Sequence, residues 1–410
     1  MMMGIRKFST AIWRKYVPVQ SINYLTMLRT IVLLGIATLL SFYAFGQKPR
    51  ARDLGVPFDG KTGPFNAITD VEGVAVGHTT LIRGKGALTV GEGPVRTGVS
   101  AVFPLGKNAT AGVPAGWFSF NGDGEMTGTI FLSERGELYG PVMLTNTLSV
   151  GTVQAATIEW NRRHIKDPEA LYARALPVVA ETWDGFLNDI FGQHVTQADV
   201  FQALDRAKGG AVQEGNVGGG TGMRTYEFKG GIGTSSRAVT TEQGDFTVGV
   251  LVQSNYGRRH QLRIAGVPVG KEIPDLMPQR NADPNSNGNS IIVIIATDAP
   301  MIPIQLNRVA RRATLALGRN GSVGMDGSGD IFIAFSTGNR LSFGSNELQQ
   351  LQMVTDLNPL FEATVQATEE AIINAMVAGE TMEGINGNVV YALPHDRLKK
   401  ILTQYQRMPE

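Results

Sequence analysis

Short apolar runs rich in β-branched residues recur along the chain and predict strands. The strongest run covers residues 291–296 and consists of Ile-Ile-Val-Ile-Ile-Ala. A continuous run of that length, without polar alternation, is typical of a strand covered on both faces. Further strand-like stretches lie at residues 73–78, 97–103, 246–252 and 331–335.

Helical periodicity marks other stretches of the chain. Within residues 304–317, apolar Ile304, Val309, Ala313 and Leu317 share one stripe, and arginines lie on or near the other face. Because strand and helix signals alternate irregularly, we expect a layered α/β fold built on mainly mixed or antiparallel sheets. The other predicted helices span residues 153–164, 197–208, 360–377 and 396–406.

The N-terminal apolar stretch has the pattern of a secretory signal. Residues 31–40 are almost entirely apolar, follow Arg29 and precede small residues at Ala44 and Gly46. We predict a signal peptide over residues 1–46, cut after Gly46, and hence a periplasmic or secreted protein. An uncleaved anchor is the alternative, but a spanning helix needs roughly 20 apolar residues. Met27 fits the true start, which would make residues 1–26 an over-long gene assignment.

The amino-acid composition limits the kinds of partner and catalytic group that the chain can use. The net charge is +1, so the chain shows no sign of a nucleic-acid partner. The absence of cysteine excludes disulfides, thiolate catalysis and Cys-ligated metals. The histidines show no paired spacing, and no Gly-x-Ser-x-Gly elbow occurs. We therefore predict no metal and no cofactor, and a general base other than histidine if the chain is a serine hydrolase.

Ser290 lies where a long polar segment, residues 271–289, meets the strand at 291–296. At an Asn289–Ser290 junction of this kind, the hydroxyl could attack the preceding carbonyl and shift the acyl group from nitrogen to oxygen. Hydrolysis of the ester would leave Ser290 as a new N-terminus with a nucleophilic hydroxyl and an α-amino base in one residue. A loop that happens to precede a strand is the alternative.

Two glycine-rich stretches could complete such a site. Residues 215–223 offer backbone N–H groups and the Asn216 side chain to an oxyanion; the alternative, which the motif taken alone favours, is a flexible turn. In residues 324–330, Ser328 and Asp330 stand two apart in extended chain and so point to one side. They could hydrogen-bond an α-amino group and orient it; the alternative is a polar turn entering a strand. A further polar set that could line a pocket includes Glu125, Glu137 and Tyr139.

Together these motifs resemble the L-aminopeptidase/D-esterase family, the DmpA-like peptidases that include the β-aminopeptidases. The resemblance spans almost the whole chain after residue 50, and the order of so many motifs makes it specific. The matching motifs are RDLGVPF at 52–58, NAITDVEGVAVGHTT at 66–80, NGDGEMTG at 121–128, LTNT at 144–147, GNVGG at 215–219, LVQSNYG at 251–257, ATDAP at 296–300 and GSGDIFIAFST at 327–337.

The resemblance implies a single domain over residues 47–410 that cuts itself into an α chain, 47–289, and a β chain, 290–410. The implied fold is a four-layer αββα sandwich that looks like the N-terminal nucleophile hydrolases but differs in connectivity. Members assemble as tetramers of αβ pairs. By position, Ser290 falls on the nucleophile, Asn216 on the oxyanion asparagine, and Ser328 and Asp330 on the serine and acid beside the nucleophile's amine.

The implied activity is removal of N-terminal L-, D- or β-amino acids from short peptides, amides or esters through an acyl-enzyme. Family pocket residues fall near Glu125, Glu137 and Tyr139, and a pocket carboxylate would hold the substrate's ammonium group. Two other functions stay open from the sequence: an acyltransferase of the ornithine acetyltransferase type and a non-catalytic exported binding protein. Neither a nucleic-acid nor a membrane partner is expected after the signal is removed.

Overall fold

Two stacked β-sheets form the centre of the computed structural model, which describes residues 48–281, 289–344 and 350–408. The signal-peptide prediction for residues 1–46 lies outside these residues. Within the described part, the larger sheet has the strand order β4-β3-β12-β11-β10-β9, and only β11 and β12 run parallel. Its strands are β3 (Val113–Gly122), β4 (Glu137–Leu138), β9 (Gly231–Thr241), β10 (Gly244–Asn255), β11 (Asn289–Thr297) and β12 (Ser328–Ser336).

The smaller sheet has the order β1-β2-β5-β6, with β5 and β6 parallel. Two short hairpins, β7 with β8 and β13 with β14, stand apart from both sheets. The strands are β1 (Ala75–Arg83), β2 (Val95–Phe103), β5 (Val142–Asn146), β6 (Val178–Thr182), β7 (Arg224–Thr225), β8 (Phe228–Lys229), β13 (Met382–Glu383) and β14 (Val389–Val390).

Helices cover the outer faces of both sheets. Helices α2 and α4 pack on the smaller sheet, and α6 and α7 pack on the larger one. No described helix combines the length and the apolarity needed to cross a bilayer. The helices are α1 (Thr129–Arg135), α2 (Val150–His164), α3 (Pro168–Ala173), α4 (Gln197–Asp205), α5 (Val269–Glu272), α6 (Pro303–Arg319), α7 (Asn358–Val377) and α8 (His395–Gln404).

The surroundings of strand β11 explain why its sequence is continuously apolar. Ile292 and Ile294 point into the layer between the sheets, whereas Ile291, Val293 and Ile295 point toward α6 and α7. Both faces of the strand are therefore buried, as predicted for residues 291–296. Each such side chain contributes about 1.5–3 kcal/mol through its burial. The predicted αββα sandwich is confirmed.

The predicted apolar stripe of α6 needs one correction. Val309, Ala313 and Leu317 are buried as expected, but Ile304 is 63% exposed. The stripe begins instead at Leu306, which lies three residues before Val309 and therefore shares its face of the helix. The other predicted helices are found, and none of their ends is shifted by more than three residues.

Candidate active site

Ser290 lies near the start of β11, in a row of residues that crosses the larger sheet. Its partner on antiparallel β10 is Asn255, and its partner on parallel β12 is Gly329. Gly329 in turn pairs with Gly122 on β3. Paired residues place their side chains on one face, so Ser290 and Asn255 both face the layer between the sheets.

The Ser290 hydroxyl contacts the peptide bond before it. Its Oγ donates to the Asn289 carbonyl oxygen at 2.5 Å, and it accepts from the Gly329 N–H at 3.2 Å. Both Asn289 and Ser290 are buried in the described chain. The nucleophile of the expected acyl shift is therefore held against the carbonyl that it would attack, at the predicted cleavage position.

Ser328 and Asp330 form the pair that their spacing predicted. The Ser328 Oγ donates to Asp330 Oδ1 at 2.7 Å, and both residues lie on β12 beside Asn289–Ile291. Burial raises the pKa of Asp330, while the hydrogen bonds from Ser328, Asn121 and the Ile291 N–H lower it. The Ser328–Asp330 pair thus lies next to the backbone of Ser290.

Asn255 was not assigned a role from the sequence, although it belongs to the LVQSNYG motif. The structure places it directly across from Ser290. Its Nδ2 donates to the Trp183 carbonyl at 2.9 Å, and its Oδ1 accepts from the Arg224 N–H at 2.9 Å. These contacts fix the orientation of the amide beside Ser290.

Glu181, at the end of β6, is a second residue that the sequence did not reveal. Its Oε1 accepts from the Glu125 N–H at 2.9 Å, and its Oε2 accepts from the Thr147 hydroxyl. Gly124 lies between this carboxylate and Gly329. A Cβ at Gly124 would be 3.2 Å from Glu181 Oε1 and 3.0 Å from the Gly329 Cα. Burial raises the pKa of Glu181, and the neighbouring charges of Glu125 and Asp123 raise it further.

Asn216 lies apart from Ser290. Its amide exchanges two hydrogen bonds with the Glu380 backbone, at 2.8 and 3.1 Å. Its neighbour Gly215 pairs with Ile232 on β9, so three inter-strand spacings, roughly 14 Å, separate this segment from β11. The expectation that Asn216 serves the oxyanion has no geometric support, because strands β9 and β10 lie between its segment and β11.

Tyr139 and Glu137 lie at the wrong end of the sheet for the predicted pocket. Strand β4 pairs with the first residues of β3, Val113 and Pro114. The row of paired residues that contains Ser290 crosses β3 at Gly122, eight residues on and therefore roughly 26 Å away. Tyr139 packs edge-on against Phe343 instead. Its pKa is raised, and burial is the largest cause. Of the three predicted pocket residues, only Glu125 lies near the site, with an exposed side chain.

No group of three or more potential metal ligands occurs among the described residues. Four histidines have one ring nitrogen in contact with a group other than Ser290: His78 with the Ser100 hydroxyl, His164 with the Trp160 carbonyl, His194 with the Asp189 carboxylate and His395 with the Val377 carbonyl. The polar groups that the structure places beside Ser290 are hydroxyl, carboxylate, amide and backbone groups.

Known proteins match almost the entire described chain. A family model described as peptidase family S58 matches residues 66–390. The β-peptidyl aminopeptidase BapA of Sphingosinicella xenopeptidilytica is 52% identical over 366 residues, which are 86% of this chain and 91% of that protein. Its namesake from Sphingosinicella microcystinivorans is 51% identical over 383 residues, 90% of this chain and 96% of that protein.

Solved structures agree with these matches. The L-aminopeptidase D-Ala-esterase/amidase of Ochrobactrum anthropi superposes with a TM-score of 0.81 at 47% identity, covering 88% of this chain and 100% of that chain. It is described as a prototype of the serine aminopeptidases and a new variant of the Ntn hydrolase fold. A β-aminopeptidase of Burkholderia sp. gives a TM-score of 0.77 at 44% identity, covering 87% of this chain and 99% of that chain.

Proposed function

The chain belongs to peptidase family S58 and is a serine aminopeptidase; on that premise we propose that it cuts itself before Ser290 and then removes N-terminal β-amino acid residues from short peptides or amides. The contact of the Ser290 Oγ with the Asn289 carbonyl is the observation that carries the proposal. Both relatives above 50% identity are named β-peptidyl aminopeptidases, which supports a β-residue as substrate.

Self-cleavage would begin with attack of the Ser290 Oγ on the Asn289 carbonyl carbon. The C–N bond breaks as the C–O ester forms, and the Ser290 nitrogen takes a proton to become the new α-amine. Water then hydrolyses the ester, which releases the Asn289 carboxylate and restores the hydroxyl. The result would be the α chain ending at Asn289 and the β chain starting at Ser290.

Peptide hydrolysis would reuse the same atoms. The free amine of Ser290, oriented by Ser328 and Asp330, accepts the hydroxyl proton as Oγ attacks the substrate carbonyl. The Asn255 amide is our candidate for the oxyanion donor. The leaving amine takes the proton, and water then hydrolyses the acyl-enzyme by the reverse sequence of proton transfers.

Glu181 is our candidate for the residue that restricts the enzyme to chain ends. Its buried carboxylate lies beside Gly124, and Gly124 packs against Gly329, the partner of Ser290 on the neighbouring strand. An ionised Glu181 would pair with the free ammonium group of the substrate, and a blocked N-terminus would leave that carboxylate without a partner. Export through a cleaved signal and assembly of αβ pairs into tetramers remain part of the proposal.

The test compares the wild-type protein with Ser290→Ala. We expect an intact-mass spectrum of the wild type to show two chains, one with Ser290 as its N-terminus. The Ser290→Ala protein should remain one chain and should hydrolyse neither β-alanine nor L-alanine p-nitroanilide. The wild type should prefer the β-alanine substrate, and water rather than an added amine should take the acyl group.

Ser336→Ala is the matched control, because Ser336 is a buried serine at the far end of the same sheet. Its hydroxyl donates to the Ala299 carbonyl and accepts from the Gly338 N–H, away from Ser290. This control should cut itself and remain active. A Ser290→Ala protein that is cut and active would disprove the mechanism. A preference for acyl transfer to an amine would favour the acyltransferase alternative.

A further inference from the structure

Strand β3 carries an irregularity next to Gly122, which lies in the row of paired residues that contains Ser290. Asp330 pairs with Asn121, but the next residue, Ile331, pairs with Ser119, so Phe120 is the extra residue of a β-bulge. A bulge of this kind changes the direction of a side chain and is common near active sites. Here it places Asn121 directly across from Asp330.

The contacts of Asn121 fix the orientation of its amide. Its Nδ2 donates to Asp330 Oδ2 at 3.0 Å and contacts the Met325 carbonyl at 3.3 Å. Both partners accept hydrogen bonds, and only the NH₂ end of the amide can donate. Turning the amide over would bring its oxygen against the carboxylate, so the amide has one favourable orientation.

Asn121 and Ser328 donate to different oxygens of the Asp330 carboxylate, which also accepts from the Ile291 N–H. Oδ2 belongs to Asn121, and Oδ1 accepts from the Ser328 hydroxyl at 2.7 Å. Asp330 is almost fully buried, with 1% of its surface exposed, so no bulk water replaces a missing donor.

We propose that Asn121 is a positioning residue of the hydrolytic site, which holds Asp330 so that its Oδ1 orients Ser328 toward the Ser290 amine. The inference rests on the function proposed above. Asn121 acts through Asp330 and need not touch the substrate. Its role is to keep the acid of the pair in one rotamer and in its ionised form.

A pH profile can reveal this role, because Asp330 is titratable and buried. Among the described residues, the titratable groups that interact with it are the buried hydroxyls of Tyr226 and Tyr256 and, after the proposed cleavage, the Ser290 amine. Loss of the Asn121 donor raises the pKa of Asp330, because a hydrogen bond to the charged form is lost. The acid limb of kcat/KM should then move to higher pH.

The experiment measures kcat, KM and pH profiles of purified, self-cleaved wild type, Asn121→Ala, Asn121→Asp and the control Ser119→Ala. Ser119 is exposed on the same strand, and its variant should match the wild type. For Asn121→Ala we expect kcat to fall about 10-fold with KM little changed, as for a lost hydrogen bond to a charged group. Asn121→Asp is nearly isosteric and can donate to Asp330 only when protonated. Its activity relative to Asn121→Ala should therefore rise as the pH falls.

Intact mass and the melting temperature of each variant report whether it is cut and folded. If Asn121→Ala stays uncut, the pH dependence of the Asn121→Asp cleavage rate gives the same readout. A wild-type pH profile and kcat in Asn121→Ala would overturn the inference, as would an activity ratio of the two variants that does not change with pH. A wild type without hydrolysis would instead refute the proposed function.

Discussion

At the scale of residues, the site is a row of short side chains on neighbouring strands. Ser290 has Asn255 on one side and Gly329 on the other, and the absence of a side chain at Gly329 leaves its N–H close to the Ser290 hydroxyl. Glu181 approaches through Gly124. The Ser290 hydroxyl, the Asn255 amide and the Glu181 carboxylate are thus brought together by the packing of strands, and not by a local sequence motif.

The two asparagines give the sharpest residue-scale prediction. Asn255→Ala should lower kcat by about 100-fold or more with a smaller change in KM, because an oxyanion donor acts mainly in the transition state. Asn216→Ala should change kcat little and lower the free energy of unfolding by about 1 kcal/mol through the lost bonds to Glu380. Steady-state kinetics and urea unfolding of both variants test this pair. The opposite pattern would return the oxyanion role to Asn216.

At the scale of elements, β12 and the segment after β3 pack unusually closely. A Cβ at Gly329 would lie 2.5 Å from the Asp123 carbonyl oxygen and 2.7 Å from the Gly124 Cα. Backbone atoms cannot move aside as a flexible side chain can. This contact therefore sets the distance between the acidic segment of residues 123–125 and the nucleophile strand.

Gly329→Ala should separate these two segments. In an uncut Ser290→Ala background, where unfolding involves a single chain, we expect the free energy of unfolding to fall by about 1–3 kcal/mol. In the otherwise wild-type chain, self-cleavage should slow. Gly318→Ala in α6 is the control, since a Cβ there meets nothing within 4 Å and alanine favours the helix by up to about 1 kcal/mol. Equal stabilities for the two variants would contradict the close-packing argument.

At the scale of the whole molecule, a carboxyl group is buried for which the described residues supply hydrogen bonds but no opposite charge. Asp184 is fully buried, and its Oδ1 accepts from the Asn188 side chain at 3.0 Å. Burial raises the pKa of this carboxyl from 3.8 to about 7. A carboxyl with a raised pKa holds its proton longer in the folded state than in the unfolded one. Stability is then lost as the pH rises between these two values.

Asp184→Asn should remove this loss. In the uncut Ser290→Ala background, the variant should gain stability relative to its parent as the pH is raised from 3.8 through about 7. Below that window the two proteins should differ least. Urea unfolding at a series of pH values measures the difference, and Asp396→Asn, at an exposed position in α8, serves as the control. Parallel curves for Asp184→Asn and its parent would show that burial does not perturb this carboxyl.

The sequence by itself determined those features that depend only on residues close to each other along the chain. The continuous apolar run at 291–296 specifies a doubly covered strand, the spacing of Ser328 and Asp330 puts them on one side of β12, and the Asn289–Ser290 junction is the position at which we propose the nucleophile. Only the tertiary structure decided which distant groups join them. Strand order and register bring Asn255, Glu181 and Asn121 to Ser290, and they carry Tyr139 and Asn216 away from it. The reason is that pairing joins residues far apart in the chain, and the periodicity of a single strand contains no information about its neighbours.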